Sequence, residues 1–479
     1  MEGQTTIFDM LYEPYKITKP IRLIELFAGY GSQALALKYL GVDFQHWKIC
    51  EWAVKSVQAY KDIHCEYDET DPAILQSQTK EEMVNYLFEK GISSNYNEPM
   101  TKQQINRLSE EQLRNILNNI YQTHNLVNIQ QVKGKDLEIF DTDKYNYILT
   151  YSFPCQDLSL AGKGKGMSDT STRSGMLWEV ERILSECKEL GTLPQVLLME
   201  NVPQVHSKDN IEDFNKWQLR LEEFGYKNYA QDLIATDYGI PQTRNRTFMV
   251  SILGDYSYTF PKPIPLKLKL KDMLEDEVNE KYFLSDKMKE YIFSENDKYK
   301  VNKSSLKLNR DIACSKTTRE GNTRADASDY IVETCLLKNK GTELTRLTNN
   351  ANTLMARDYK GFGNQEMNAV IENKPKKIGS LYEKSQAGSI YSQEAMCPTL
   401  TTESSANWNV LLGENTNLAD NNLRIRKLTP RECFRLMGVK DEDYEKCAKN
   451  QSDSSLYHLS GDSIVVNILM AIFEQMLKK

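Results

Sequence analysis

The stretch IRLIELFAGYGSQALALKYLG, residues 21–41, most constrains what this chain can fold into. Ile21, Leu23, Ile24 and Leu26 make an apolar run too short for a helix, and Gly29 and Gly31 follow at once. SQALALKYLG then predicts a helix closing at Gly41, and a second apolar stretch with Trp47, Ile49 and Cys50 stops at Glu51. Strand, glycine turn, helix and strand in this order open a doubly wound α/β sheet. Three later runs fit the same sheet: YNYILTYS before Pro154, PQVLLMEN before Val202, and FMVSIL after Arg246. Each stops against polar residues, as strands do when they deliver side chains to a site at their carboxyl ends.

With 479 residues the chain has room for two or three domains at roughly 150 residues each. From about 66 to 125 it turns polar and helical. SEEQLRNILNNIY starts with a capping box, Ser109 to Gln112, and sets Leu113, Ile116, Leu117 and Ile120 on one face, which predicts a helical insertion. A boundary is expected near 255, followed by PKPIPLKLKLKD, where Leu266, Leu268 and Leu270 alternate with Lys267, Lys269 and Lys271 as in an edge strand. Between 255 and 428, NNANTLMARDYKGFGNQEMNAVIE and EAMCPTLTTESSANWNVLLGE share Thr-Leu pairs, at Thr353 and Thr399, and a closing apolar strand, either a repeated β unit or chance. LTPRECFRLMGV predicts a helix behind Thr429 and Pro430, and SIVVNILMAIFEQMLKK an amphipathic closing helix. Nine cysteines without CxxC pairs and only five histidines argue against structural zinc and a disulfide framework, and for a reducing compartment. The N-terminus lacks a signal peptide's apolar region, and no apolar run approaches the ~20 residues of a membrane span. The net charge of −7 predicts no nucleic-acid partner by itself, although binding responds to local fields.

Four stretches carry chemistry. In FAGYGS, Gly29 and Gly31 allow close backbone approach to a ligand at a helix start, and Glu51 lies 20 residues beyond Gly31, where an acid can bind ribose hydroxyls. An ordinary tight turn is the alternative to a nucleotide-like cofactor, and because Ala34 stands where a dinucleotide fingerprint has its third glycine, a smaller adenosine cofactor without pyrophosphate is preferred to a dinucleotide. In PCQDLSLAGKGKG, Pro154 stiffens the turn before Cys155, and a flexible GKGKG carries Lys163 and Lys165; a reactive thiol competes here with a buried filler cysteine. In MENV, Glu200 ends an apolar strand, as a proton-handling acid or a structural cap would. In QTRNR, Gln242, Arg244 and Arg246 alternate, so an extended strand would present them on one face to a carbonyl or phosphate.

Taken in order, FAGYG (27–31), PCQ (154–156), ENV (200–202), QTRNR (242–246), RECFRLMG (431–438) and GDSIVVN (461–467) closely resemble the motif series of the DNA cytosine-5 methyltransferases of bacterial or phage restriction-modification type. The resemblance spans nearly the whole chain apart from the insertion and about 255–428. It implies a Rossmann-like α/β S-adenosylmethionine-dependent methyltransferase sheet with helices on both faces, formed by 1–254 and 429–479, plus a smaller, mostly β target-recognition domain at 255–428.

The resemblance also implies roles. Cys155 is the expected nucleophile on cytosine C6, Glu200 the acid at N3 and the exocyclic amine, and Arg246 the partner of O2, with Gln242 and Arg244 bracing the site. S-adenosyl-L-methionine is the expected cofactor and no metal is expected. Its contacts carry over as Phe27, Ala28, Gly29 and Gly31, Glu51 on the ribose, Trp52 against the adenine, Pro154 behind the sulfonium, and Asn128, Ile129, Asp462 and Ser463. Asp462 departs from the family's usual asparagine and can accept but not donate. A base inside a duplex cannot reach a thiol, so the target is expected to flip out, with Ser159, Lys163, Lys165 and Arg173 toward the phosphates. From Lys298 to Arg324, eight Lys and Arg face two acids, a local basic field for double-stranded DNA. A cytoplasmic monomer in a prokaryote or phage-infected host is expected, with a cognate endonuclease as a companion. Two rivals stand beside this: a tRNA-acting member, against which the ~170-residue recognition region argues, and an inactive DNA binder.

Overall fold

The computed structural model describes residues 12–65, 77–153, 174–282 and 428–477, together with the backbone of six short strands between 338 and 425. Its centre is a six-stranded sheet of β1 (Ile21–Leu26), β2 (Phe44–Cys50), β3 (Asn146–Tyr151), β4 (Val196–Asn201), β5 (Tyr226–Ile234) and β6 (Asn245–Leu253), ordered β2-β1-β3-β4-β6-β5. The first four strands are parallel, while β6 runs antiparallel to both β4 and β5. All six residues of β1, β3 and β4 are buried because both sheet faces are covered, which explains their continuous apolar runs.

Alternate side chains feed two cores. Ile21 and Leu23 of β1 join α1 (Ser32–Tyr39), α2 (Val54–His64) and the C-terminal helices α8 (Pro430–Leu436), α9 (Asp441–Ala448), α10 (Asp453–Asp462) and α11 (Val466–Met476). Ile24 and Leu26 join the opposite core with α6 (Leu177–Leu190) and α7 (Ile211–Phe224). The period of two along each strand thus produces a three-layer α/β/α body. Fold class and helix-covered faces agree with the expectation.

The insertion is helical where it is described: α3 (Lys80–Lys90), α4 (Lys102–Asn106) and α5 (Glu110–Gln122) enclose a small core of their own. The Ser109–Gln112 capping box forms as read, and Leu113, Leu117 and Ile120 are buried. Thr429 and Glu432 build a further capping box behind Pro430.

The expected edge strand at Leu266–Leu270 does not form. Residues 259–269 are irregular, and a 3-10 turn follows at Leu270–Met273. Pro261, Pro263 and Pro265 remove every second amide that such a strand would need, and Leu268 is left exposed while Leu270 is buried. Tyr258, Leu270, Met273 and Tyr282 instead enter the core of α8–α11, so the packed body runs past the boundary expected at 255 to Tyr282. Of the proposed echo, the closing strands appear as β9 (Asn368–Ile371), paired with β10 (Ser389–Ser392), and β11 (Leu411–Leu412), paired with β12 (Arg424–Ile425). Thr353, Thr399 and the basic stretch 298–324 lie outside the described residues. So do β7 and β8's surroundings, although β7 (Lys338–Asn339) and β8 (Thr342–Glu343) pair antiparallel.

Asp453–Met476 is apolar and long enough to cross a membrane, more than the sequence reading allowed. It is two helices broken at Ser463–Val465, and most of it is buried within the fold.

Candidate active site

Register brings the motifs to one edge. Leu26 lies opposite Cys50 and Tyr151, and Tyr151 lies opposite Met199, so β1 to β4 end level with one another. β6 arrives antiparallel, with Asn201 opposite Thr247. Phe27–Gly31, Glu51, Ser152, Glu200 and Arg246 therefore gather at the carboxyl edge, where the strand order reverses between β1 and β3, the place at which open α/β sheets bind ligands.

After β1 the chain turns through Phe27 at φ 59°, Gly29 at 56° and Gly31 at 84°, and the Phe27 amide donates to the Cys50 carbonyl at 2.8 Å. A Cβ on Gly29 would meet nothing within 4 Å, so open space lies above it. At Gly31 a Cβ would stand 2.4 Å from His64 Nε2 and 2.6 Å from Tyr60 Cε2. Beneath this turn Glu25, fully buried, accepts from the Tyr60 hydroxyl at 2.5 Å and from the Ala34 amide at 3.3 Å, and burial pushes its carboxyl up to about 7. Gly31→Ala is expected to destabilise the protein by about 2–4 kcal/mol, because the strained φ and the clash act together. A lowered urea midpoint would register it, and an unchanged midpoint would refute the close packing.

Glu51 accepts from the Gly29 amide at 3.0 Å and the Ala53 amide at 2.8 Å. Burial pushes its carboxyl up to about 7, the two amides pull it down, and Asp462 pushes it up again. Asn125, which sequence reasoning did not single out, clamps the Glu51 backbone from both sides: Glu51 N donates to its Oδ1 at 3.0 Å and its Nδ2 donates to Glu51 O at 2.8 Å. Asn128 turns its Oδ1 onto the Gln130 amide at 3.1 Å, and Ile129 is buried in the core of α6 and α7. Trp52 packs against the insertion's core, and Ala28 is buried beside Ile49 and Tyr60.

At the end of β4, Glu200 Oε1 lies 3.2 Å from Arg246 Nε, with both side chains largely buried. Glu200 Oε2 accepts from the Ser152 hydroxyl at 2.5 Å. Asn201 Nδ2 donates to the Phe153 carbonyl at 3.1 Å, fastening the end of β3 to β4. Ser152 escaped the sequence reading because only the pairing of β3 with β4 makes it a neighbour of the acid; Asn201, although inside the ENV stretch, was given no role there. Pro154, Cys155, Ser159, Lys163, Lys165 and Arg173 lie outside the described residues.

Gln242, Arg244 and Arg246 do not form one row, contrary to the alternation. β6 begins only at Asn245, so the first two precede the strand. Gln242 is buried and donates to the Leu436 carbonyl at 2.6 Å; Arg244 donates to the carbonyls of Gly461 at 3.1 Å and Ser463 at 2.7 Å. Only Arg246 turns to Glu200. The two inner side chains thereby tie RECFRLMG and GDSIVVN to the sheet, and Gly438 at φ 79° leaves room for Asn467, whose Oδ1 would stand 2.4 Å from a Cβ there. The Ser463 hydroxyl is spent on the Ser460 carbonyl at 2.8 Å, whereas the Asp462 carboxylate is half exposed, with Oδ2 2.9 Å from His458 Nε2.

A family model described as C-5 cytosine-specific DNA methylase matches residues 90–478. The chain is 37% identical to orphan methyltransferase M.SssI of Spiroplasma monobiae over 312 residues, 64% of this chain and 76% of that protein. It is 29% identical to type II methyltransferase M2.ScrFI of Lactococcus lactis subsp. cremoris over 96% of this chain and 99% of that one. Among solved structures, the S. pombe Dnmt2 methyltransferase aligns with a TM-score of 0.50 at 15% identity, covering 95% of this chain and 98% of that chain, a likeness of fold.

Proposed function

The chain belongs to the C-5 cytosine-specific DNA methylases, and from that premise we propose that Cys155 carries methylation of one cytosine at C5 in a specific double-stranded DNA sequence, with S-adenosyl-L-methionine as the donor. The observation that carries this reading is the Glu200–Arg246 pair, buried at the same edge as Phe153, two residues before Cys155. The Cys155 thiolate attacks C6 of a cytosine flipped out of the duplex. Glu200 engages N3 and the exocyclic amine and draws density from C6, while Arg246 holds O2. The bond from sulfur to C6 leaves C5 carbanion-like, so that C5 takes the methyl group. Loss of the C5 proton and elimination of Cys155 then restore the ring and the free thiolate. The donor's sulfonium supplies the methyl group.

The residues at the glycine turn fit such a donor by their chemistry. Open space lies above Gly29, and Glu51, held by the Gly29 amide, has the half-exposed carboxylate of Asp462 near enough to push its own carboxyl up, a pair of acids suited to hydroxyls and positive charge. Glu51 would hold the ribose and Asp462 the ammonium group, with Phe27, Ala28 and Gly31 shaping the turn and Trp52 beside it. A carboxyl near 7 accepts hydroxyl donors best when ionised. Affinity for S-adenosylhomocysteine is therefore expected to fall up to about tenfold from pH 8 to pH 6. Calorimetric titration at both pH values checks this, and Glu51→Gln should flatten the dependence.

The relatives' names, type II methyltransferase in Lactococcus lactis and orphan methyltransferase in Bacillus phage SPR, support a role in restriction-modification or phage self-protection within a prokaryotic cytoplasm. The deciding experiment is transfer of labelled methyl from S-adenosylmethionine to unmethylated plasmid DNA, followed by bisulfite sequencing, with a tRNA arm. Methylcytosine at one recurrent sequence supports the reading; label in tRNA alone, or in neither, overturns it.

A further inference from the structure

The insertion does more than decorate the sheet. Its loop after α3 is stitched to the residues that follow Glu51: Ser93 N donates to Trp52 O at 2.8 Å, and Val54 N donates to Ser93 O at 2.9 Å. The loop is internally braced, with the Ser93 hydroxyl on Glu98 O at 2.8 Å and Asn95 Oδ1 accepting from the amides of Asn97 and Glu98 at 3.0 and 3.1 Å. Met100 N closes it on Ile92 O at 2.7 Å. At its tip Tyr96 sits at φ 64°, a left-handed conformation uncommon for a tyrosine and kept only where the surroundings demand it.

What the tip reaches is the C-terminal motif. The Tyr96 ring lies 3.7 Å, centroid to centroid, from the His458 ring, and His458 Nε2 stands 2.9 Å from Asp462 Oδ2. The Tyr96 hydroxyl is buried near Ser56 of α2 and Ser455 of α10, and burial together with the charges of Asp462 and Glu51 holds it well above the usual phenol range. One side chain therefore lies among supports of both acids: its ring touches His458 of α10, and its hydroxyl lies near Ser56 of α2 and feels the charges of Asp462 and Glu51. Two carboxylates that repel each other need a fixed spacing if both are to serve one ligand, and a rigid ring between their supports provides it.

We propose that Tyr96 is a positioning residue for the cofactor, resting on His458 and thereby fixing Asp462 relative to Glu51. This rests on the reading of Glu51 and Asp462 as cofactor contacts. The helical insertion then has a purpose: it completes one wall of the cofactor cleft.

The test is calorimetric titration of S-adenosylhomocysteine into the full-length wild type, Tyr96→Ala, Tyr96→Phe, His458→Ala and the Tyr96→Ala/His458→Ala double variant, with Glu51→Ala as reference. Tyr96→Ala is expected to weaken binding about tenfold, Tyr96→Phe less than about threefold because the ring remains, and the double variant less than the product of the singles. In methyl transfer, KM for the cofactor should rise while kcat at saturating cofactor stays within about twofold. Wild-type affinity in Tyr96→Ala, or a fall in kcat with KM unmoved, overturns the proposal. Should Tyr96→Ala not fold, His458→Ala carries the test, since it removes the ring under Tyr96 without touching the insertion; wild-type affinity there overturns the proposal equally. If the wild type does not bind, or Glu51→Ala binds as well as wild type, the cofactor reading itself has failed and the proposal falls with it.

Discussion

Cys155→Ala is expected to lower methyl transfer by at least about 10⁴-fold while leaving S-adenosylhomocysteine binding intact. Without a thiolate to add at C6, C5 of cytosine remains part of an aromatic ring and has no electron pair to accept a methyl group. No acid, base or positioning effect at the remaining site substitutes for that bond. The companion measurement is a denaturant-resistant complex with DNA containing 5-fluorocytosine, formed by the wild type and absent from the variant. Fluorine at C5 cannot leave as a proton does, so the adduct should accumulate. Transfer by Cys155→Ala within tenfold of wild type would remove the covalent mechanism. A wild type that binds donor and DNA yet never forms the adduct would favour a DNA binder without catalysis.

Glu200→Gln is expected to lower kcat by about 10²–10⁴-fold, with cofactor affinity unchanged. The substitution preserves shape and can still meet the Ser152 hydroxyl, which now lies 2.5 Å from Oε2. It removes the negative charge that faces Arg246 at 3.2 Å, and with it the acceptor for a proton shared with the base. Breaking a buried ion pair by removing one partner can cost about 3–5 kcal/mol, so a urea midpoint must accompany the kinetics. A loss in kcat larger than any fall in stability assigns Glu200 to the chemistry; equal kcat values would leave it as a structural cap. Because Glu200 and Arg246 form one unit, Glu200→Gln combined with Arg246→Ala should cost less than the two single losses multiplied together.

Much of the fold was legible in the residues. Ile21–Leu26, Tyr147–Tyr151, Val196–Met199 and Phe248–Ile252 read as strands because burial on both faces demands short continuous apolar runs, and each is a strand. The Ser109 capping box and the α5 face were equally plain, since both are set within four residues of sequence. β5 was not legible: YKNYAQDLI is an edge strand with polar side chains to solvent. The alternating leucines near 266 misled because their pattern was right for a strand while the neighbouring prolines denied it hydrogen bonds.

By itself the sequence determined the order of the motifs, and so the family, because side-chain chemistry at short spacing is a local property. It also determined which acid, arginines and cysteine to examine. The tertiary structure alone decided where they point. Gln242 and Arg244 turn to carbonyls at Leu436, Gly461 and Ser463, and Arg246 turns to Glu200. Ser152 became a partner of Glu200, and Tyr96 a wedge against His458. Those contacts join residues tens to hundreds of positions apart, and they depend on strand register and helix docking, which are fixed by burial over the whole body rather than by any local pattern.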